Sequence, residues 1–143
     1  MNIQLETVVP TKKQVIYLYN QLNLRAYAIS HEQIPSYTTH KEFVENNPYR
    51  AWFIIQIDGK SSGDVYVQTD NSVGLNNVED LDVAIIKAVI NLIRKRLTPL
   101  PAIPSVRYKD FFFNVSVANT KLGDKLVKIG LKPSQITYIQ PTK

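Results

Sequence analysis

Apolar residues in "PTKKQVIYLYNQLN" fall at Val15, Leu18, Tyr19 and Leu22, the i, i+3, i+4, i+7 spacing of one helix face. Thr11 and Gln14 supply a capping pair at the start of that helix. The preceding "MNIQLETVVP" reads as a strand. In "IPSYTTHKEFVENNPY", Ser36 is placed to N-cap a second, short helix, Phe43 and Val44 share a face, and Pro48 is the stop. Two β-rich runs then meet at Asp58-Gly59, a dipeptide that accepts the positive φ angles of a tight hairpin, and a turn at Asp70-Asn71 leads to a third strand. The segment from Leu81 to Leu97 is apolar on more than one face and ends in Arg94-Lys95-Arg96, so it predicts a central, mostly buried helix. Pro99, Pro101 and Pro104 make the next stretch an extended connector. After it, "FFFNVSV" reads as a buried strand, "NTKLGDKLVKI" as a helix closed by Gly130 at C′, and "SQITYIQ" as a last strand. The pattern predicts an α/β fold in which Trp52, Ile54, Val65, Val67 and Phe112 share a sheet packed on the helix around Ile85, Val89 and Leu92.

Composition adds bounds to this picture. A chain of 143 residues, 44% apolar, fits a single domain spanning residues 1–143. The formal charge of +5 mildly favours anionic partners, although a solvated basic face is its commoner source. With no cysteine there is neither a disulfide framework nor a thiolate metal site, which suits a reducing, cytoplasmic setting. The start carries no basic segment followed by an apolar core, so it is not read as a secretory signal. The run "VAIIKAVINLI" is broken by Lys87 and Asn91 and is too short for a membrane span, so a soluble protein with no membrane partner is expected.

One junction carries a chemical question. "SVGLNNVEDLDVAIIKAV" passes from a strand into a helix, a place where free amides and the helix dipole often hold phosphate. Here there is no glycine after Gly74, and Glu79, Asp80 and Asp82 stand at the helix start. Carboxylates at that position cap amides and complement the dipole, but they repel a phosphate.

The segment "YAISHEQIPSYTTHKEFVENNPYRAWFIIQIDGKSSGDVYV" resembles the front half of bacterial and phage GNAT N-acetyltransferases, and "FFFNVSVANTKLGDKLVKIGLKPSQITY" resembles their closing half. Together these cover about two-thirds of the chain. The resemblance implies a mixed, mostly antiparallel central sheet flanked by helices on both faces, with neighbouring strands that part to admit a thioester. It implies acetyl-CoA as cofactor, held by a glycine-rich loop whose glycines are absent here, so that binding is expected to be weak or absent. Leu75, Asn76 and Asn77 stand where the family's cofactor loop begins, and Asn119 matches an Asn that contacts the pantetheine arm. Leu126 occupies the place of a proton-donating tyrosine. On the substrate side His31, Tyr37, His40 and Trp52 match the front-half motif and Tyr138 the last strand, which makes His31, Tyr37, His40 and Tyr138 the candidate catalytic residues.

Other chemistry is less well supplied. The two histidines make no recognised metal site, and no Ser-His-Asp arrangement stands out. Nucleic-acid binding through Arg94, Lys95, Arg96, Arg107 and Lys109 would rest on charge alone and is not expected. Two readings stay open: an acyltransferase acting on a small-molecule or sugar amine, and a binding or assembly module of the same fold that has lost CoA. Homo-oligomers are compatible with both.

Overall fold

The computed structural model describes residues 1–25 and 33–142. Its elements are β1 (Ile3–Thr7), α1 (Lys12–Leu24), α2 (Tyr37–Glu45), β2 (Ala51–Ile57), β3 (Lys60–Val67), β4 (Ser72–Asn76), α3 (Val83–Arg96), β5 (Phe112–Phe113) and α4 (Thr120–Ile129). One sheet runs β1-β2-β3-β4-β5, with every neighbouring pair antiparallel except β4 and β5, which are parallel.

Local signals explain the helix ends and the hairpin. Thr11 and Ser36 accept hydrogen bonds from the amides of Gln14 and Thr39, so each caps its helix three residues in. Gln14 also stitches α1 to β1, because its side chain donates to Glu6 and to the Thr7 carbonyl and accepts from the Val9 amide. Asp58 and Gly59 both take positive φ, the twist that a two-residue hairpin needs. Gly130 ends α4 at φ 113°, and the Leu131 amide returns to the Leu126 carbonyl.

The sheet is covered on both faces. Phe53, Ile55, Val65, Val67 and Val73 pack with Ile86, Val89, Ile90 and Ile93 of α3 and with Leu122 and Leu126 of α4. On the opposite face Trp52 and Ile54 pack with Val15, Leu18 and Val44 of α1 and α2. The expected sheet packed on α3 is found, and within it Trp52 and Ile54 alternate away from α3 onto the α1/α2 face. The helix α3 is amphipathic rather than mostly buried, with Lys87, Asn91 and its three terminal cations exposed.

The back half departs further from the sequence pattern. Of "FFFNVSV" only Phe112–Phe113 form strand, and residues 134–140 form none. A period-2 pattern marks a segment as able to pair, but no described strand offers this one a ladder. The proline-rich connector is clamped by the fully buried Asn71, whose side chain donates to the Leu100 and Tyr108 carbonyls and accepts from the Leu100 amide. The connector is therefore fastened at the start of β4, away from its far end. Among the described residues no helix is long and apolar enough to cross a membrane.

Candidate functional site

β4 and β5 stay together only briefly. Ser72 faces Phe112 and Val73 faces Phe113, the last backbone contact is Asn114 N to Val73 O at 3.4 Å, and Gly74, Leu75 and Asn76 have no β5 partner. The parting leaves backbone groups on that edge of β4 in need of partners. Leu75 packs its side chain against the core, so only its backbone can serve the opening. The side chains of Asn76 and Asn77 are already used. Asn76 Nδ2 donates to Asp64, and Asn77 Nδ2 donates to the carbonyl and side-chain oxygens of Gln21, tying α1 to the end of β4.

The loop that follows is held from α4. Lys125 Nζ donates to the carbonyls of Glu79 (2.6 Å) and Leu81 (2.8 Å), and Lys121 pairs with Asp80 at 2.6 Å. Lys121 holds the exposed Asp80 carboxyl below its ordinary value, first through the hydrogen bond and then through charge. The expected capping role of the acidic residues is corrected here. Glu79 and Asp80 precede the helix, and Asp82 stands at the N-cap without a side-chain hydrogen bond to it. Glycine, which lets a backbone approach phosphate closely, is missing, and lysine-bound carbonyls line part of the loop, so these residues do not fit a pyrophosphate cradle. Asn119 accepts from the Leu122 amide at 3.2 Å and so N-caps α4, while Leu126 is core.

A polar group that the sequence reading passed over lies on the α1/α2 face. Period-2 alternation puts Trp52, Asp64, Tyr66, Gly74 and Asn76 together, with Asp64 opposite Asn76 and Tyr66 opposite Gly74. Asp64 is 2% exposed, and its Oδ2 accepts from Trp52 Nε1 (2.9 Å) and Asn76 Nδ2 (3.0 Å). Burial raises its carboxyl above the ordinary value, and those two hydrogen bonds and the charge of Arg25 partly oppose the shift. Next to it, β3 bulges. Ile54 faces Asp64 and Gln56 faces Ser61, so two residues of β3 oppose one of β2, and Gly63 takes φ 101°. Its amide donates to Tyr17 Oη at 2.8 Å, and a Cβ there would lie 2.7 Å from the Asn76 carbonyl.

Over this carboxyl stands an aromatic wall. Tyr49 stacks on Tyr66 at 4.3 Å and 12°, and meets Trp52 edge-on at 5.1 Å, with Phe43 edge-on to both Tyr49 and Trp52. Burial raises the phenols of Tyr49 and Tyr66, so both are neutral donors at working pH. The signal for this cluster was present in "GDVYV": with helices on both faces of the sheet, a carboxyl midway along an inner strand must be buried and must find donors.

Of the candidate catalytic residues, two share one neighbour. His31 lies outside the described residues. Tyr37 and His40 each meet the Tyr19 ring at 5.4 Å between α1 and α2, with no hydrogen bond between the two of them among the described residues. Tyr138 is 87% exposed and outside any strand. His40 is buried, its Nε2 has no partner among the described residues, and burial lowers its pKa, partly offset by the Val15 backbone. Because the folded value is depressed, the unfolded chain binds the proton more readily. Stability from this group is therefore present above the unfolded value, about 6.5, and is lost as pH falls from there toward the folded value. Urea midpoints measured from pH 7.5 down to 5 are expected to fall, and His40→Leu is expected to flatten that decline. An unchanged slope would show that His40 does not titrate differently in the two states.

No protein-family model and no curated protein sequence matches the chain. Solved structures do match. A dodecameric spermidine N-acetyltransferase from Vibrio cholerae superposes with TM-score 0.60 at 15% identity, over 93% of this chain and 81% of that one. The aminoglycoside N-acetyltransferase AAC(6')-Ib11 gives 0.57 at 15%, over 91% and 86%. An aminoglycoside acetyltransferase from an uncultured soil metagenomic sample, solved with sisomicin, gives 0.54 at 11%, over 99% and 96%. The fold is that of the GNAT N-acetyltransferases. The expected mixed, mostly antiparallel sheet with helices on both faces is what is found, and the parting of β4 and β5 lies at the end of this GNAT-like sheet next to Asp64.

Proposed function

We propose that this chain is a divergent member of the GNAT superfamily that transfers an acyl group from acetyl-CoA or a related thioester to a small-molecule or sugar amine. The observation that carries this reading is the convergence at β4: its edge opens after Val73, and its last side chain ends on the buried Asp64 below an aromatic wall. When bound, acetyl-CoA supplies the activated acyl group. The backbone N–H and C=O of Leu75, which alternate with the β3-facing groups of Gly74 and Asn76 and so face the opening, suit an extended pantetheine-like arm. An ammonium is attracted to the faces of Phe43 and Tyr49, both partly exposed, and an ionised Asp64 behind them adds to that attraction. In this reading Asp64 is a positioning residue that fixes Trp52 and Asn76.

One observation favours a second reading, a binding module without CoA: Lys121 and Lys125 spend their charge on the loop itself. Calorimetry with acetyl-CoA separates the two. Saturable binding with a Kd below about 1 mM, roughly 4 kcal/mol, is the expected result. No heat up to that concentration would favour the module. Asn at positions 79, 80 and 82 together is expected to leave the affinity within about threefold, since removing charge that salt already screens does not restore missing amide donors. A tenfold gain would show that the loop geometry is sound and only its charge is wrong.

A further inference from the structure

One row of α1 crosses the ends of β3 and β4. Tyr17 Oη accepts from the Gly63 amide beside Asp64, and Gln21, one turn on, accepts from Asn77 at the end of β4. The same spacing makes Arg25, the C-cap of α1, the next member of that row. Leu24 beside it is exposed, whereas Arg25 is half-buried and its Nε is fully covered. The arginine therefore turns inward.

What it meets there is incomplete. Burial raises the ionisable groups of Tyr49, Asp64 and Tyr66, and the charge of Arg25 opposes the rise in all three, so the guanidinium lies within electrostatic reach of the carboxyl and of the aromatic wall over it. Yet Asp64 Oδ2 is taken by Trp52 and Asn76, and the Arg25 side chain makes no hydrogen bond or ion pair among the described residues. A buried donor without an acceptor is costly, and more so when it is charged. Nε–H and one Nη–H form a planar fork that a carboxylate fits with two parallel hydrogen bonds. One such cation balances one negative charge, which suits a carboxylate better than a phosphate dianion. A polycationic amine such as spermidine is repelled by the same charge.

We propose that Arg25 binds a carboxylate on the acceptor, so that the amine acylated here belongs to an amino acid or an acidic amino sugar. This rests on the proposed acyl transfer and narrows its acceptor: the ammonium meets the Tyr49 face and Asp64, and the carboxylate meets Arg25. A molecule with both charges leaves neither Asp64 nor Arg25 facing a like charge.

Binding is read from ¹⁵N–¹H spectra of the full chain, without CoA, against two matched pairs. L-lysine is compared with cadaverine, which is lysine without its carboxylate, and muramic acid with glucosamine, which lacks the lactyl carboxylate. In at least one pair the acid is expected to bind about tenfold tighter than its partner, and the pair that does so separates an amino acid from an acidic amino sugar. Arg25→Gln is expected to remove that difference. Arg25→Lys keeps the charge but loses the fork, so it is expected to retain part of the difference. Structural damage would weaken both members of a pair alike and leave their ratio unmoved. Equal affinities within both pairs, tighter binding of the amines that lack a carboxylate, no saturable binding of either acid up to about 10 mM, or a preference that survives Arg25→Gln would each overturn the proposal. Because CoA is absent from this experiment, a failure of acyl transfer leaves its result standing. Acetylation of cadaverine or glucosamine in preference to the matching acid would do the reverse, supporting the transfer and overturning the role of Arg25.

Discussion

Asp64→Asn is expected to raise stability at pH 7.5 and to impair amine acylation, whereas Asp64→Ala is expected to lose both. The alanine variant leaves Trp52 Nε1 and Asn76 Nδ2 buried without their acceptor, at about 1–3 kcal/mol for each unpaired group. The asparagine variant keeps an acceptor oxygen and removes a buried ionisable group. The sign follows from the raised folded pKa. The native chain holds this proton to higher pH than the unfolded chain, so stability from Asp64 is full below the unfolded value and declines as pH rises through the folded one. Every unit of such displacement is worth about 1.4 kcal/mol. The melting temperatures of parent and Asp64→Asn should therefore coincide near pH 4 and separate by several degrees at pH 7.5, with the variant higher. Steady-state kinetics supply the second readout. If Asp64 acts by fixing Trp52 and Asn76 and by attracting the amine, the loss should appear mainly in KM for the amine. A variant that melts below the parent at pH 7.5 would show that the carboxylate, once ionised, is a net stabiliser.

What could be read in advance separates by the range of the interactions involved. The caps at Thr11 and Ser36, the Asp58-Gly59 hairpin and the Gly130 terminus are each decided within a few residues, and each stands where the sequence put it. The two faces of the sheet were harder. Alternation along "AWFIIQI" separates Trp52 and Ile54 from Phe53 and Ile55, but both sets are apolar, so nothing local says which faces α3. The last strand failed for a related reason. Pairing needs a partner edge, and "SQITYIQ" carries only its own half of that information.

The site was legible in outline and not in its polar details. Strand order and the connector lead to the opening between β4 and β5, which depends on topology. Asp64 depends on contacts twelve residues away in both directions, to Trp52 and Asn76, and these exist only once three strands are in register. The hold of Lys121 and Lys125 on the loop spans more than forty residues and turns on which face of α4 meets the start of α3. Motif matching favoured His40 and Tyr138 instead. His40 is packed between α1 and α2, and Tyr138 is exposed on the closing segment.

Gly74→Ala is expected to be among the most destabilising single-methyl additions in this chain. Tyr66 faces Gly74 across the ladder, and its ring lies over the glycine, so a Cβ at that position would overlap the Tyr66 ring carbons and hydroxyl. The ring cannot yield freely, because Tyr49 stacks on its other side at 4.3 Å and itself rests against Trp52. Overpacking of this kind costs roughly 1–3 kcal/mol, which for a domain of this size lowers the melting temperature by several degrees. The cause is tested by a double-mutant cycle. Tyr66→Ala alone removes the stacked ring and is itself destabilising, but in that background the atoms nearest the new methyl are gone. Gly74→Ala should then cost almost nothing, or stabilise slightly, because alanine restricts the unfolded chain more than glycine does. A full penalty in the Tyr66→Ala background would mean that the backbone at residue 74, not the tyrosine, requires glycine. The same pair also tests the proposed amine wall: Gly74→Ala displaces Tyr66 from Tyr49 without altering any aromatic residue, so weaker amine binding in this variant would tie recognition to the placement of that ring.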